Sequence, residues 1–123
     1  VIAEGKALGA RVSLFMDPEP DAMAAAKSVG ADRVELYTEP YAENFGLPAC
    51  DDILAGFAAA AQRAQDAGLE VNAGHDLNLD NLALFLSIPN ILEVSIGHAF
   101  VVESLEMGME KVLQKYSQIC KPQ

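Results

Sequence analysis

Both histidines of this 123-residue chain lie in a phrase that occurs twice, as Leu69-Glu70-Val71-Asn72-Ala73-Gly74-His75 and as Leu92-Glu93-Val94-Ser95-Ile96-Gly97-His98. Five of the seven positions match, and the copies start 23 residues apart. Histidine titrates near neutral pH and so suits proton transfer, while a glycine beside it lets the backbone come close to a ligand. In each copy an apolar strand-like run ends in Gly-His and is followed by a helix-like stretch. Two similar loops are therefore expected at the carboxyl ends of neighbouring strands, where α/β folds keep their chemistry. In Asn72-Ala73-Gly74-His75-Asp76, His75 is the candidate general acid or base; the competing reading is a loop histidine bonded only to backbone. In Ser95-Ile96-Gly97-His98-Ala99, Gly97 and His98 are the candidate phosphate site, held through backbone N–H groups at a helix N-terminus; the competing reading is a tight turn that needs glycine.

The elements that must position these loops are legible along the chain. Residues 1–8 read as the tail of an amphipathic helix closed by Gly9, so the chain is expected to begin inside an element, as a piece of a longer protein. Residues 12–17 form a short apolar strand ending in Asp17-Pro18, and 19–29 an alanine-rich helix before Gly30. A second strand at 34–38 leads into a long loop at 39–50 with two prolines and an aromatic pair. A helix at 51–67 follows, with Asp51 and Asp52 at its N-terminus, an apolar stripe through Ile53, Leu54, Phe57, Ala58 and Ala61, and Gly68 as its C-cap. The third strand, 70–73, precedes a helix capped by Asn78 and running through Leu82, Phe85 and Leu86 to Pro89. The fourth, 92–96, precedes a helical region that carries Met109, Val112, Leu113, Tyr116 and Ile119.

Four strand–helix units without a hairpin signature predict a parallel sheet with right-handed crossovers. Ser13, Asp17, Glu35, Glu70, Asn72, Glu93 and Ser95 fall at period-two positions, opposite Val12, Leu14, Val34, Leu36, Val71 and Val94. One sheet face is thus polar. A doubly wound sheet, covered on both faces, wants apolar residues on both, whereas a barrel gathers polar groups in its lumen. The expected fold is an α/β (βα)8 TIM barrel, residues 1–123 being about half of that single domain. The lumen carboxylates Glu35, Glu70 and Glu93 are either acid–base groups or structural partners of arginines from elsewhere in the barrel.

Composition narrows the partners. Eighteen acidic against eight basic residues give a net charge of −10, which repels nucleic acid and anionic membrane, so small molecules and other subunits remain. Cys50 and Cys120 have no metal or redox spacing, and the two Gly-His turns lack tight ligand spacing, so no metal is expected. No run reaches membrane-spanning length and nothing resembles a signal peptide, so the expected compartment is the cytoplasm.

Val12-Ser13-Leu14-Phe15, Gly30-Ala31, Val71-Asn72-Ala73-Gly74-His75-Asp76-Leu77 and Ile96-Gly97-His98-Ala99, in this order and spacing, closely resemble the C-terminal half of the pyridoxine 5′-phosphate synthase family. The resemblance runs over nearly the whole chain and implies a TIM barrel. It implies condensation of 1-deoxy-D-xylulose 5-phosphate with 3-amino-2-oxopropyl phosphate, closing the pyridine ring of vitamin B6 with loss of phosphate and water. By the same resemblance His75 is the proton donor, and Asp76, Gly97 and His98 hold the aminoketone phosphate, largely through main-chain N–H groups. Asp76 stands where some relatives have glycine; a carboxylate beside a phosphate repels it unless turned away or neutralised. The family's other catalytic histidine and glutamate, and the arginines gripping the second substrate, belong to the first half of the barrel. The resemblance implies no metal or organic cofactor, small phosphorylated substrates, and a homo-oligomer, commonly an octamer. Two rivals stand beside it. One is another phosphate-handling barrel, a lyase or isomerase; the other is a non-catalytic half-barrel that pairs with itself to cover its edges.

Overall fold

Short apolar strands alternate with helices, and the helices that bury apolar residues pack on one side of a sheet, which holds the core. The computed structural model describes residues 1–121. Helix α1 (Ile2–Ala7) precedes strand β1 (Ser13–Met16), and a 3-10 turn at Pro20–Ala22 leads into α2 (Met23–Ser28). Strand β2 (Arg33–Tyr37) is followed by α3 (Glu39–Asn44) and the long α4 (Cys50–Asp66). Strand β3 (Glu70–Gly74) leads to the short α5 (Leu82–Phe85), and β4 (Ile91–Ser95) to α6 (His98–Met107) and α7 (Met109–Ile119).

Four local expectations are corrected or refined. The segment 39–50 is no plain loop, because Glu39–Asn44 is helical: Pro40 in its first turn lacks only an N–H that would have had no helical partner, and Tyr41 is fully buried. The helix expected from residue 19 starts instead as the 3-10 turn. Regular helix after β3 begins at Leu82 rather than behind Asn78, whose Oδ1 accepts from Asp80 N (2.9 Å) and Asn81 N (3.0 Å) while Asn81 Oδ1 accepts from Asn78 N (2.8 Å). This reciprocal pair braces the turn ahead of α5. The helical region after β4 is two helices, broken at Gly108 with φ +88, a conformation that favours glycine.

The sheet runs β1-β2-β3-β4 with every pair parallel. Consecutive units lie side by side, as in a (βα)8 barrel. Register aligns Phe15 with Glu35, Glu35 with Asn72, and Asn72 with Glu93 on one face; Leu14, Val34 and Val71 align on the other. The second face is covered: Val34, Leu36, Val71 and Ala73 are fully buried beneath Met23, Phe57, Ala61 and Phe85. The first is open and polar, as the alternation predicts. Between β3 and β4 the register slips by one residue at Val71/Asn72, so that Ile91 and Glu93, with Leu92 between them, face adjacent residues of β3. Leu92, the residue left unpaired at this slip, is 57% exposed, whereas its repeat counterpart Leu69 is 3% exposed. Among the described residues no helix is long and apolar enough to cross a membrane.

Candidate active site

In register, Gly74 pairs with Ser95, so the two Gly-His turns leave adjacent strands at the same end of the sheet. His75, Asp76, Gly97 and His98 are thereby gathered at one rim, all exposed to solvent. The two turns are not alike. His98 simply opens α6, whereas His75 has φ +91 and Asp76 φ +56, left-handed values uncommon for residues other than glycine. The left-handed turn has a consequence for direction. By strand alternation residue 75 follows Val71 and Ala73 and would point into the helix-covered core. Its ring instead lies 4.9 Å from that of Phe15 and 5.2 Å from that of Tyr37, centroid to centroid, and both of those rings stand on the polar face. Phe15 and Tyr37 are themselves 5.4 Å apart, so three rings from three strand ends form an apolar wall with the imidazole at its rim.

Buried polar groups hold this turn from behind. Thr38, fully buried, lies just after β2; its N–H donates to Gly74 O at 3.0 Å, and its hydroxyl faces Gly74 O at 2.7 Å and also His75 O. Asn81, 1% exposed, donates from Nδ2 to Asp76 O at 3.1 Å, and Tyr41 Oη donates to Asn81 O at 2.7 Å. Burial, with the Cys50 thiol nearby, pushes the Tyr41 phenol up to about 12.

The lumen carboxylates separate into two kinds. Arg33, 6% exposed, donates from Nε to Glu70 at 2.8 Å and from Nη1 to Asn72 Oδ1 and Glu93, each at 2.9 Å; Nη2 also bonds Glu70. Glu70 and Glu93 are therefore structural, and their cation comes from this chain's own second strand rather than from elsewhere in the barrel. Glu35, one pleat above, lies against the Gly74 α-carbon: a methyl there would fall inside contact distance of Glu35 Oε1 and 3.1 Å from Ser95 Cβ. Gly74 is thus a space requirement at φ < 0, and it lets a carboxylate lie beside the His75 turn.

On the second turn, Gly97 caps α6 without any side-chain hydrogen bond and no acidic residue stands in the first helical turn. The leading N–H groups of α6 thus have no helical acceptor and present the positive end of the helix dipole, an arrangement suited to an anion. Around Gly97 nothing lies within 4 Å of a Cβ position, so the approach to these groups is open. Glu103 ties α6 to the first turn's loop, accepting from Leu79 N at 3.0 Å and from Tyr116 Oη at 2.5 Å. Burial and the neighbouring Glu103 carboxylate hold the Tyr116 phenol above its ordinary range. Among the described residues no three His, Cys, Asp or Glu side chains lie close enough to share a metal ion.

Sequence reasoning missed Arg33, Thr38 and Asn81. The period-two pattern contains the signal for Arg33, which shares parity with Glu35. Thr38 and Asn81 act through backbone carbonyls and leave no pattern.

The sequence profile described as "Pyridoxal phosphate biosynthesis protein PdxJ" matches residues 1–122. A protein of Albidiferax ferrireducens named pyridoxine 5′-phosphate synthase is 55% identical over 117 residues, covering 94% of this chain and 46% of its own length. Proteins of the same name from Xanthomonas oryzae pv. oryzae and Xanthomonas campestris pv. campestris are 50% identical over 122 residues and 53% over 117. The chain spans about half the length of these curated relatives, 46% and 48% in the first two. Its four parallel strand–helix units correspondingly make up about half of a (βα)8 barrel. With the profile matched almost from end to end, the chain belongs to the PdxJ family of pyridoxal phosphate biosynthesis proteins.

Proposed function

We propose that the chain supplies the C-terminal half of the barrel of a pyridoxine 5′-phosphate synthase, the name its relatives carry. The whole barrel condenses 1-deoxy-D-xylulose 5-phosphate with 3-amino-2-oxopropyl phosphate to give pyridoxine 5′-phosphate, phosphate and water. Ring closure expels a hydroxyl as water, and that step needs an acid. The observation that carries the reading is the left-handed turn, which brings His75 onto the polar face, at the same end of the sheet as the uncapped N-terminus of α6. In this reading His75 donates the proton. Gly97 and His98 hold the aminoketone phosphate through the leading N–H groups of α6. With a net charge of −10 the chain as a whole repels phosphates, so a local dipole and backbone donors have to do the holding. Asp76 contributes main chain, its exposed carboxylate free to turn into solvent. Glu35, outside the Arg33 cluster, is the carboxylate available to pair with or relay protons beside the ring of His75.

No lysine stands at a strand end, where Asp17, Thr38, His75 and Ile96 follow the four strands, and this disfavours a Schiff-base aldolase. A homo-oligomer, octameric as in the family's common form, working in the cytoplasm on small phosphorylated substrates, completes the proposal. In the complete barrel, His75→Asn should lower turnover by about 10²-fold or more and leave binding of the aminoketone phosphate within a few-fold. Crystals grown with phosphate or substrate should hold the anion on the N–H groups of Gly97 and His98, near Asp76. Unchanged turnover removes His75 from the mechanism, and an anion bound only elsewhere at the rim removes the phosphate assignment.

A further inference from the structure

Successive carbonyls of an extended strand point to opposite sides, yet those of Gly74 and His75 converge on a single atom, the hydroxyl oxygen of Thr38. The relation between these two carbonyls is set by the φ and ψ of the residue joining them, which is His75 at φ +91. The same torsion turns the imidazole from the core side of β3 to the polar face, against Phe15 and Tyr37. A left-handed histidine persists only where its surroundings over-determine it, and Thr38 supplies such a constraint from the end of the neighbouring strand. It is fully buried, so water does not compete for its hydroxyl, and its N–H fixes Gly74 O at 3.0 Å in the last rung of the β2–β3 ladder. We propose that Thr38 is a positioning residue: its side-chain hydroxyl holds His75 in the left-handed conformation that presents the imidazole to the substrate.

The catalytic part of this inference rests on the role proposed for His75; the conformational part does not. The test uses the complete barrel and three variants. Thr38→Val keeps the shape and removes the donor, and should lower kcat by about 10-fold or more with KM for the aminoketone phosphate within about 3-fold. Thr38→Ser restores the donor and should bring kcat back to within about 3-fold of the parent. Because Thr38 acts through His75, valine should add nothing in a His75→Asn background. Independently of activity, the His75 ring protons, shifted by the Phe15 and Tyr37 rings, should move toward free-histidine values in Thr38→Val and stay in place in Thr38→Ser.

Parental kcat and ring shifts in Thr38→Val would overturn the proposal, as would a full further loss when valine is added to His75→Asn. If valine moves the ring shifts but His75→Asn leaves turnover intact, the conformational role of Thr38 stands and the proton-donor reading fails. Should valine prevent folding, Thr38→Ala, which also lacks the donor, carries the same comparison. Failure of both to fold, with serine folding normally, would make the hydroxyl a folding determinant and overturn a positioning role.

Discussion

Replacing Gly74 by alanine separates space from backbone freedom at the centre of the site. Because its φ is negative, alanine meets no torsional objection there; the objection is contact. The added methyl lies 3.1 Å from Ser95 Cβ and 3.3 Å from Glu35 Cδ, with Glu35 Oε1 closer still. Ordinary carbon–carbon contact is about 3.5–4.0 Å, so the first pair must open by roughly 0.4–0.9 Å. The two neighbours yield differently. Glu35 can swing its carboxylate away at little cost in stability, but it then leaves the His75 turn. Ser95 Cβ is fixed to β4, which is hydrogen-bonded to β3, so relief there means spreading two strands. Overpacking of this kind costs about 1–3 kcal/mol, or roughly 2–12 °C in Tm for a domain of barrel size. Calorimetry of the complete barrel reads this cost, and steady-state turnover reads the displacement of Glu35. Turnover should fall by more than the small loss of folded protein explains, because Glu35 is displaced. A Gly74→Ala barrel with parental Tm and turnover would show that the close approach of Glu35 and Gly74 is not a working contact.

Two further expectations concern stability and assembly. The Tyr41 phenol is raised in the folded state, so its contribution is complete below pH 10, where both states are protonated. It is lost between pH 10 and about 12 as only the unfolded chain ionises, at about 1.4 kcal/mol per unit. Tyr41→Phe lacks that slope: in urea titrations it should be less stable than the parent at pH 7, having lost the bond to Asn81, and the gap should close as pH rises. Parallel stability curves would refute the burial argument. Expressed alone, Val1–Gln123 leaves both β1 and β4 as open edges and its polar face without opposing strands; it should aggregate or pair with a second copy, and show no synthase activity. Light scattering with a synthase assay checks both, and a soluble active monomer would refute the half-barrel reading.

The strand–helix alternation and the polar face were legible because each depends on residue type at a fixed period: Val34, Leu36, Val71 and Ala73 against Glu35, Asn72 and Glu93. Helix α3 was hidden because Pro40 punctuates a loop and opens a helix equally well, and only the burial of Tyr41 against Phe57 and Phe85 decides between them. The side to which His75 points was not legible at all. Parity assigns it to the core, and no residue code announces a left-handed histidine; the cause lies 37 residues earlier in the chain, in a threonine on the next strand.

The repeated phrase shows where such reading stops. In space the two copies are offset by two residues, since register sets Glu93 beside Asn72 rather than beside Glu70, and the two glutamates still converge on the Arg33 guanidinium because both stand on the polar face. Past its glycines the symmetry ends, for a reason in the surroundings rather than in the phrase. The first copy exits beside β2, whose Thr38 captures two consecutive carbonyls and curls the chain; the second runs straight into α6. Equal sequences thus yield one turned imidazole and one row of free N–H groups. The proposed reaction needs both, a proton donor and an anion hold, and the Gly74–Ser95 rung brings the two turns to the same end of the sheet.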